Sequence, residues 1–457
     1  MSGHGPSSPI PLFDALEGLL HGAHDKQGVH LQVKPIFFTA LAALIAFAVI
    51  APKQTFYNFQ LLIFLMPVWA SIMLAKLAIA RWVEANRMAY ISRQEHVLLE
   101  IRMPRDTRKS PLAMETVLTN LHLSPGESTW WKKYVNGAVR PWFSLEIVSL
   151  GGRVHWYVWT RAGFRRAVEA AFYSQYPDIE IVEAMDYSLL YDPSHHPNKM
   201  WGCEYEFSKP DPYPIKTYAN YMDPAQPLNK PEETIDPMAQ VIEFLASMGP
   251  KEQFWIQIMI RVSKKEKFGG EKSWKDIAQD EILKLRDNAI RKVKRFDAAT
   301  GALIEEDGFG PLTRGQQDDI NAIEKNVAKP GFDVGIRALY TAPEDAFQGS
   351  TITNVVALWK PINSDGHNSL GVTRWDAIFN DWPWEDPGGH HKEHLEHQLV
   401  DAYRRRSYFH EPYRMPWMIM STEELATIFH VPSASVRVPS IGRIESATAE
   451  APGNLPT

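Results

Sequence analysis

The sequence predicts an α+β protein in which a two-helix transmembrane hairpin precedes one or two ferredoxin-like (βαββαβ) units with helical insertions. Three observations carry this expectation. Two uncharged apolar runs lie near the N terminus, the hydrophobic period switches to two at Glu95, and a strand–helix–strand–strand–helix–strand order follows.

The first run, Pro35 to Ala51, and the second, Phe56 to Ala75, contain no charged side chain, and the turn between them carries only Lys53. As helices they would measure roughly 25 and 30 Å, close to the hydrocarbon thickness of a bilayer. Lys34 and Lys53 flank the first run, and Phe56, Tyr57 and Trp69 suit an interface. Pro52 to Thr55 is too short for anything but a tight antiparallel connection. Lys26 and Lys34 precede the pair and Lys76, Arg81, Arg87 and Arg93 follow it, so the positive-inside rule places both termini in the cytoplasm. A cleaved leader would leave Pro52 just behind the cut, and a buried soluble hairpin has no need to be uncharged on every face. Before the runs, Leu12, Phe13, Leu16, Leu19 and Leu20 have the spacing of a short amphipathic helix.

From Glu95 onward Val97, Leu99, Ile101 and Met103 alternate with Glu100 and Arg102, which predicts a strand. Ser110-Pro111 opens a helix carrying Met114, Val117, Leu118 and Leu121. Phe143, Leu145 and Ile147 form the next strand, Gly151-Gly152 a hairpin turn, and Val154, Trp156 and Val158 its partner. A helix over about 161–174 and a strand through Ile179 and Ile181 complete the unit. A second, weaker copy has strands at Trp201–Phe207, Phe254–Val262 and Phe332–Ala338, with Asp236-Pro237 capping a helix. The pattern leaves open whether it is a true repeat. Between its strands the insertion 264–309 carries Ile282, Leu285, Ala289, Val293 and Phe296 at helical spacing. Later, 352–359 and 392–408 predict helices, 417–420 a strand, and Ser421 with Glu424 a capping box for the helix 422–430. The chain thus divides into a flexible segment 1–30, the hairpin and juxtamembrane helix 31–94, a first unit 95–190, a second α+β unit 191–342, a mixed region 343–430 and a disordered tail 431–457.

Composition narrows the chemistry. The net charge of −6 provides no global basic footprint for nucleic acid, and the single cysteine, Cys203, excludes an intramolecular disulfide. GxxxxGK[ST] and GxSxG are both missing, so the sequence offers no P-loop or nucleophile elbow. His390, His391, His394 and His397, with Glu393 and Glu396 among them, form the most tempting cluster, since His390 and His394 would share a helix face. HExxH is not matched, no third ligand is evident, and a solvated helix start accounts for the pattern. Arg404-Arg405-Arg406 suits a solvated face or one for an acidic partner. Trp130-Trp131-Lys132-Lys133 suits a surface loop, with lipid or partner contact as the alternative. No catalytic, metal or cofactor-binding residue is assigned, and no enzyme is expected.

Three segments resemble the membrane-anchored N-terminal half of bacterial conjugation or type IV secretion-like ATPases, a half generally described as a domain of unknown function. They are HVLLEIRMPRDTRKSPLAMETVLTNLH (96–122), MSTEELATIFHVPS (420–433) and APGNLPT (451–457). The resemblance implies a non-enzymatic scaffold at the inner bacterial membrane, likewise homo-oligomeric, which holds a P-loop ATPase at the cytoplasmic face. The chain carries no motor domain, so the motor would be a separate polypeptide or this chain a fragment. A membrane-tethered module that binds DNA or protein directly is the alternative, and a metal enzyme built on His390–His397 ranks below it.

Overall fold

The computed structural model describes residues 46, 49–104, 109–123, 127, 129–190, 198–221, 236–264, 273–287, 290–296, 303–309, 312–364, 366–374, 390–432 and 443–444. Most of the run Pro35–Ala51, the segment 1–30 and nearly all of 433–457 lie outside them. The chain forms two compact units. One contains residues 1–92 and 128–139, the other residues 93–127 and 140–457.

In the first unit, helix α1 spans Pro52–Ser92 and includes Pro67. The expected transmembrane hairpin is not what forms. Pro52 to Thr55, read as its turn, is the first turn of α1, and among the described residues no single helix is long and apolar enough to cross a membrane. Instead, two stretches, Pro52–Val68 and Ala70–Ser92, meet at a 42° bend. Pro67 supplies the physical reason, because its ring removes a helical N–H and crowds the preceding turn. Ser71 Oγ donates to the Pro67 carbonyl beside the bend.

The second unit corrects the expectation of separate ferredoxin-like units. Its strands make one mixed α/β fold around a large sheet of nine antiparallel strands. β1 (His96–Pro104), β2 (Trp142–Leu150), β3 (Arg153–Arg161) and β4 (Glu180–Glu183) come from the first segment, with helices α2 (Pro111–Asn120) and α3 (Arg165–Gln175) between them. β5 (Asn198–Phe207), helix α4 (Ala239–Ala246) and β6 (Gln253–Val262) follow. The order β4-β1-β3-β2 continues directly into β6, because Trp142 to Leu150 pairs antiparallel with Arg261 to Gln253. Joining these two edges removes a row of unpaired N–H and C=O groups that separate sheets would expose.

The insertion is also not a long helix. Helix α5 (Trp274–Asp287) ends before Ala289, and β7 (Ile290–Phe296) pairs with β8 (Leu303–Phe309) as a separate hairpin. Val293 and Phe296 therefore belong to a strand. Helix α6 (Arg314–Val327) leads to β9 (Gly331–Pro343), which lies between β6 and β5. After helix α7 (Gly349–Val356), β10 (Leu370–Arg374) closes the far edge on β5. Helix α8 (His390–Arg404), β11 (Met418–Ser421) on the start of β9, and helix α9 (Thr422–Ile428) complete the fold. From the segment read as a tail, β12 (Arg443–Ile444) pairs parallel with Met103–Pro104.

One sheet face carries Leu99, Leu145, Ile256, Ile258, Ile336 and Ala338 against Met114, Val117, Phe172, Ile242, Leu245 and Leu425 of the helices. Each fully buried side chain of this size contributes roughly 1.5–3 kcal/mol. The opposite face buries Val148, Trp255 and Leu339 beneath Leu399, Val400 and Tyr403 of α8. This double coverage explains why β6 reads as a nearly continuous apolar run. The Gly151-Gly152 turn is as expected, with φ of 60° and 83°, the left-handed pair a tight hairpin needs.

The capping box is formed as read. Ser421 Oγ accepts from Glu424 N at 3.3 Å, and Glu424 Oε2 accepts from Ser421 N at 2.8 Å. Ser421→Ala removes one of these caps and is expected to cost about 1 kcal/mol. A urea titration showing no shift in midpoint would remove the box from the list of stabilising contacts.

Candidate functional site

The α8 face of the sheet carries a polar row through otherwise apolar strands. Register aligns Glu100 with Tyr157, Tyr157 with Glu146, Glu146 with Gln257, Gln257 with Arg337, and Arg337 with Glu204. Glu146 is wholly buried and stands at its centre. Arg406 grips it with a fork, Nε to Oε1 at 3.0 Å and Nη2 to Oε2 at 3.1 Å. Ser144 Oγ donates to Oε1 at 2.6 Å, Gln257 Nε2 to Oε1 at 3.2 Å, and Tyr187 Oη to Oε2 at 2.8 Å. Arg406 also binds Asp186, with Nη2 to Oδ1 at 3.1 Å. Burial raises the Asp186 carboxyl, but the Arg406 contacts outweigh it and hold the group below its ordinary value.

Farther along, Arg337 Nη2 donates to Glu204 Oε1 at 2.8 Å and its Nη1 to Gln257 Oε1 at 3.3 Å. Arg261 donates to Asp333 Oδ2 through Nε and Nη2 at 3.0 and 2.7 Å. Both oxygens of Glu146 are occupied by internal donors, so none remains to take a proton from a substrate. What the arrangement does is mechanical. It ties the segment after α8 to β2 through Arg406 and Glu146 and to β9 through Arg337, which donates to the Ser407 carbonyl at 3.4 Å, while Gln257 of β6 donates to the Tyr403 carbonyl of α8 itself. Arg406 takes a φ of 48° to reach this position.

The basic run thus reads differently from the sequence expectation. Arg405 is exposed and pairs with Asp401 one turn earlier, while Arg406 is 1% exposed within the cluster. The sequence does carry a signal for the cluster: Glu146, Gln257, Arg337 and Glu204 each interrupt an apolar strand. Of the histidine cluster, His394 is exposed and lies 3.0 Å from Gln398 Nε2. Among the described residues no group of three or more His, Cys, Asp or Glu gathers as a metal site; the side chains of His390 and His391 lie outside them. Cys203 is buried, and burial pushes its thiol up to about 12, which keeps it out of thiolate chemistry. His96 stacks on Trp159 at 4.3 Å, and burial first, then the charges of Arg161 and Arg406, push it down to about 4.

The other unit presents the opposite chemistry. From Phe56 to Ile79, α1 exposes Leu61, Ile63, Phe64, Leu65, Met66, Val68, Ile72, Met73, Leu74 and Leu77. Successive positions are exposed, so these side chains run around the circumference rather than down one stripe. Near its C-terminal end a single π-helical turn, Trp131–Val135, lies beside Asn86. Asn86 Nδ2 donates to the Tyr134 carbonyl at 3.5 Å. Gly137, at φ 64°, brings its backbone so close that a Cβ would stand 2.2 Å from the Asn86 carbonyl oxygen. Only glycine fits there.

Residues 83–443 match the family model described as a domain of unknown function (DUF8128). The match covers the sheet and the turn beside Asn86, and it begins after the apolar stretch of α1. No curated protein matches the chain.

Proposed function

The chain belongs to the DUF8128 family, and from that premise we propose that it is a non-enzymatic docking subunit that associates with a lipid membrane and positions a separate P-loop ATPase of a translocation machine. The exposed apolar stretch Phe56–Ile79 carries this reading. A helix apolar around its circumference and exposed among the described residues needs an apolar phase, and lipid is the one that accepts all faces at once. The internally satisfied ion clusters support a structural role for the sheet unit. The ATPase partner, assembly of several copies and placement at the inner bacterial membrane rest on the resemblance of 96–122 and 420–433.

Direct nucleic-acid binding through the insertion is less well supported. Its basic strand β7 faces an acidic one, with Lys292 opposite Asp307 and Lys294 opposite Glu305 in the register. A phosphate backbone would meet a mixed rather than a clean basic strand pair.

Purification of the full chain in mild detergent tests the proposal. The expected result is a P-loop ATPase retained in stoichiometric amount. A chain that retains none, yet binds DNA with a steep salt dependence, would replace the docking role by a substrate-binding one.

A further inference from the structure

We infer that the Trp130–Lys132 turn is a second membrane contact, an interfacial anchor for anionic lipid headgroups. This inference rests on the lipid reading of α1 and adds a partner chemistry to it. Trp130 and Trp131 are 54% and 61% exposed although each is large and apolar, and Lys132 beside them is exposed as well. Indole rings with an adjacent ammonium match the boundary between acyl chains and headgroups, where an apolar body and a polar tip are both satisfied.

Placement points the same way. The turn is fastened to α1 at Asn86 through Tyr134 and Gly137. Asn86 lies seven residues beyond Ile79, the last strongly exposed aliphatic residue of the run. That is about 10 Å along the axis, one headgroup layer plus the reach of a side chain. Trp82, itself exposed, stands between them.

Charge selects the lipid. Across Pro52–Ser92 and Thr129–Val139 the basic residues at the surface are Lys53, Lys76, Arg81, Arg87 and Lys132, Lys133 being buried, and the only acid is Glu84, paired with Arg81 at 3.3 Å. Except for Lys53, all these bases lie toward the Asn86 end. A surface of this kind attracts phosphatidylglycerol-like headgroups over neutral ones.

The test uses the full chain with vesicles of phosphatidylcholine, alone or mixed with phosphatidylglycerol, and lipids brominated near the headgroup. Bromine is expected to quench part of the tryptophan emission, and Trp130→Phe/Trp131→Phe is expected to lose that part with unchanged circular dichroism. Lys132→Gln is expected to weaken binding about fivefold on the anionic vesicles only. If the double variant is quenched like the parent and Lys132→Gln binds equally, the anchor is overturned while the membrane reading of α1 stands. A parent chain that binds neither vesicle overturns both.

Discussion

Arg406→Ala is expected to lower the unfolding free energy by about 3–5 kcal/mol. The substitution leaves Glu146, wholly buried, without its guanidinium and removes the cation shared with Asp186. Burying an ion is tolerable only while its partner and its hydrogen bonds are present, so deletion of one partner costs more than the pair contributes. Arg406→Lys keeps the charge but not the planar fork, and a smaller loss is expected. Glu146→Gln combined with Arg406→Met removes both charges and is expected to recover part of the stability. Guanidinium titrations at neutral pH provide the measurement. A loss below about 1 kcal/mol for Arg406→Ala would put the cluster in the class of solvent-screened surface pairs and end the mechanical reading of it.

The second large effect concerns pH. Glu423 and Glu424 are neighbours in α9 with opposite shifts. Burial pushes Glu424 up from 4.5 to about 7, despite the N–H groups of Ser421 and Ile215 that favour its charged form. For Glu423 burial also acts upward, but Lys329 and Thr217 outweigh it and the net shift is downward.

The two have opposite signs in stability. A raised carboxyl binds more protons folded than unfolded, so its stabilisation is complete below 4.5 and is lost as pH climbs toward about 7. The loss amounts to about 3 kcal/mol. Glu423 stabilises above its ordinary 4.5 and ceases to do so as pH falls through its depressed value. Unfolding measured from pH 4.5 to 7.5 on the parent and on Glu424→Gln isolates the first effect. The parent is expected to lose stability across that window relative to the variant; parallel curves would mean that Glu424 is ionised in the fold at its ordinary pKa.

Much of the local structure was legible in the sequence. Alternation in 97–103, 143–147 and 254–262, the Gly151-Gly152 turn and the Ser421–Glu424 box each depend on residues a few positions apart, where backbone sterics and short hydrogen bonds decide. The hairpin 290–309 is hidden in the sequence because Ile282, Leu285 and Ala289 set a helical phase that Val293 and Phe296 happen to continue. Periodicity cannot report that β8 supplies a partner strand.

The sequence by itself determined which residues alternate, where the turns and caps fall, and that Phe56–Ala75 carries no charge. Only the tertiary structure decided that β2 and β6 close into one sheet, since that pairing joins residues about a hundred positions apart and is specified by the removal of exposed edges. It also decided the fate of Arg406, 260 residues from Glu146. In sequence a guanidinium in a basic run and a glutamate in an apolar strand look like separate exceptions; the cost of burying either charge alone is what brings them together.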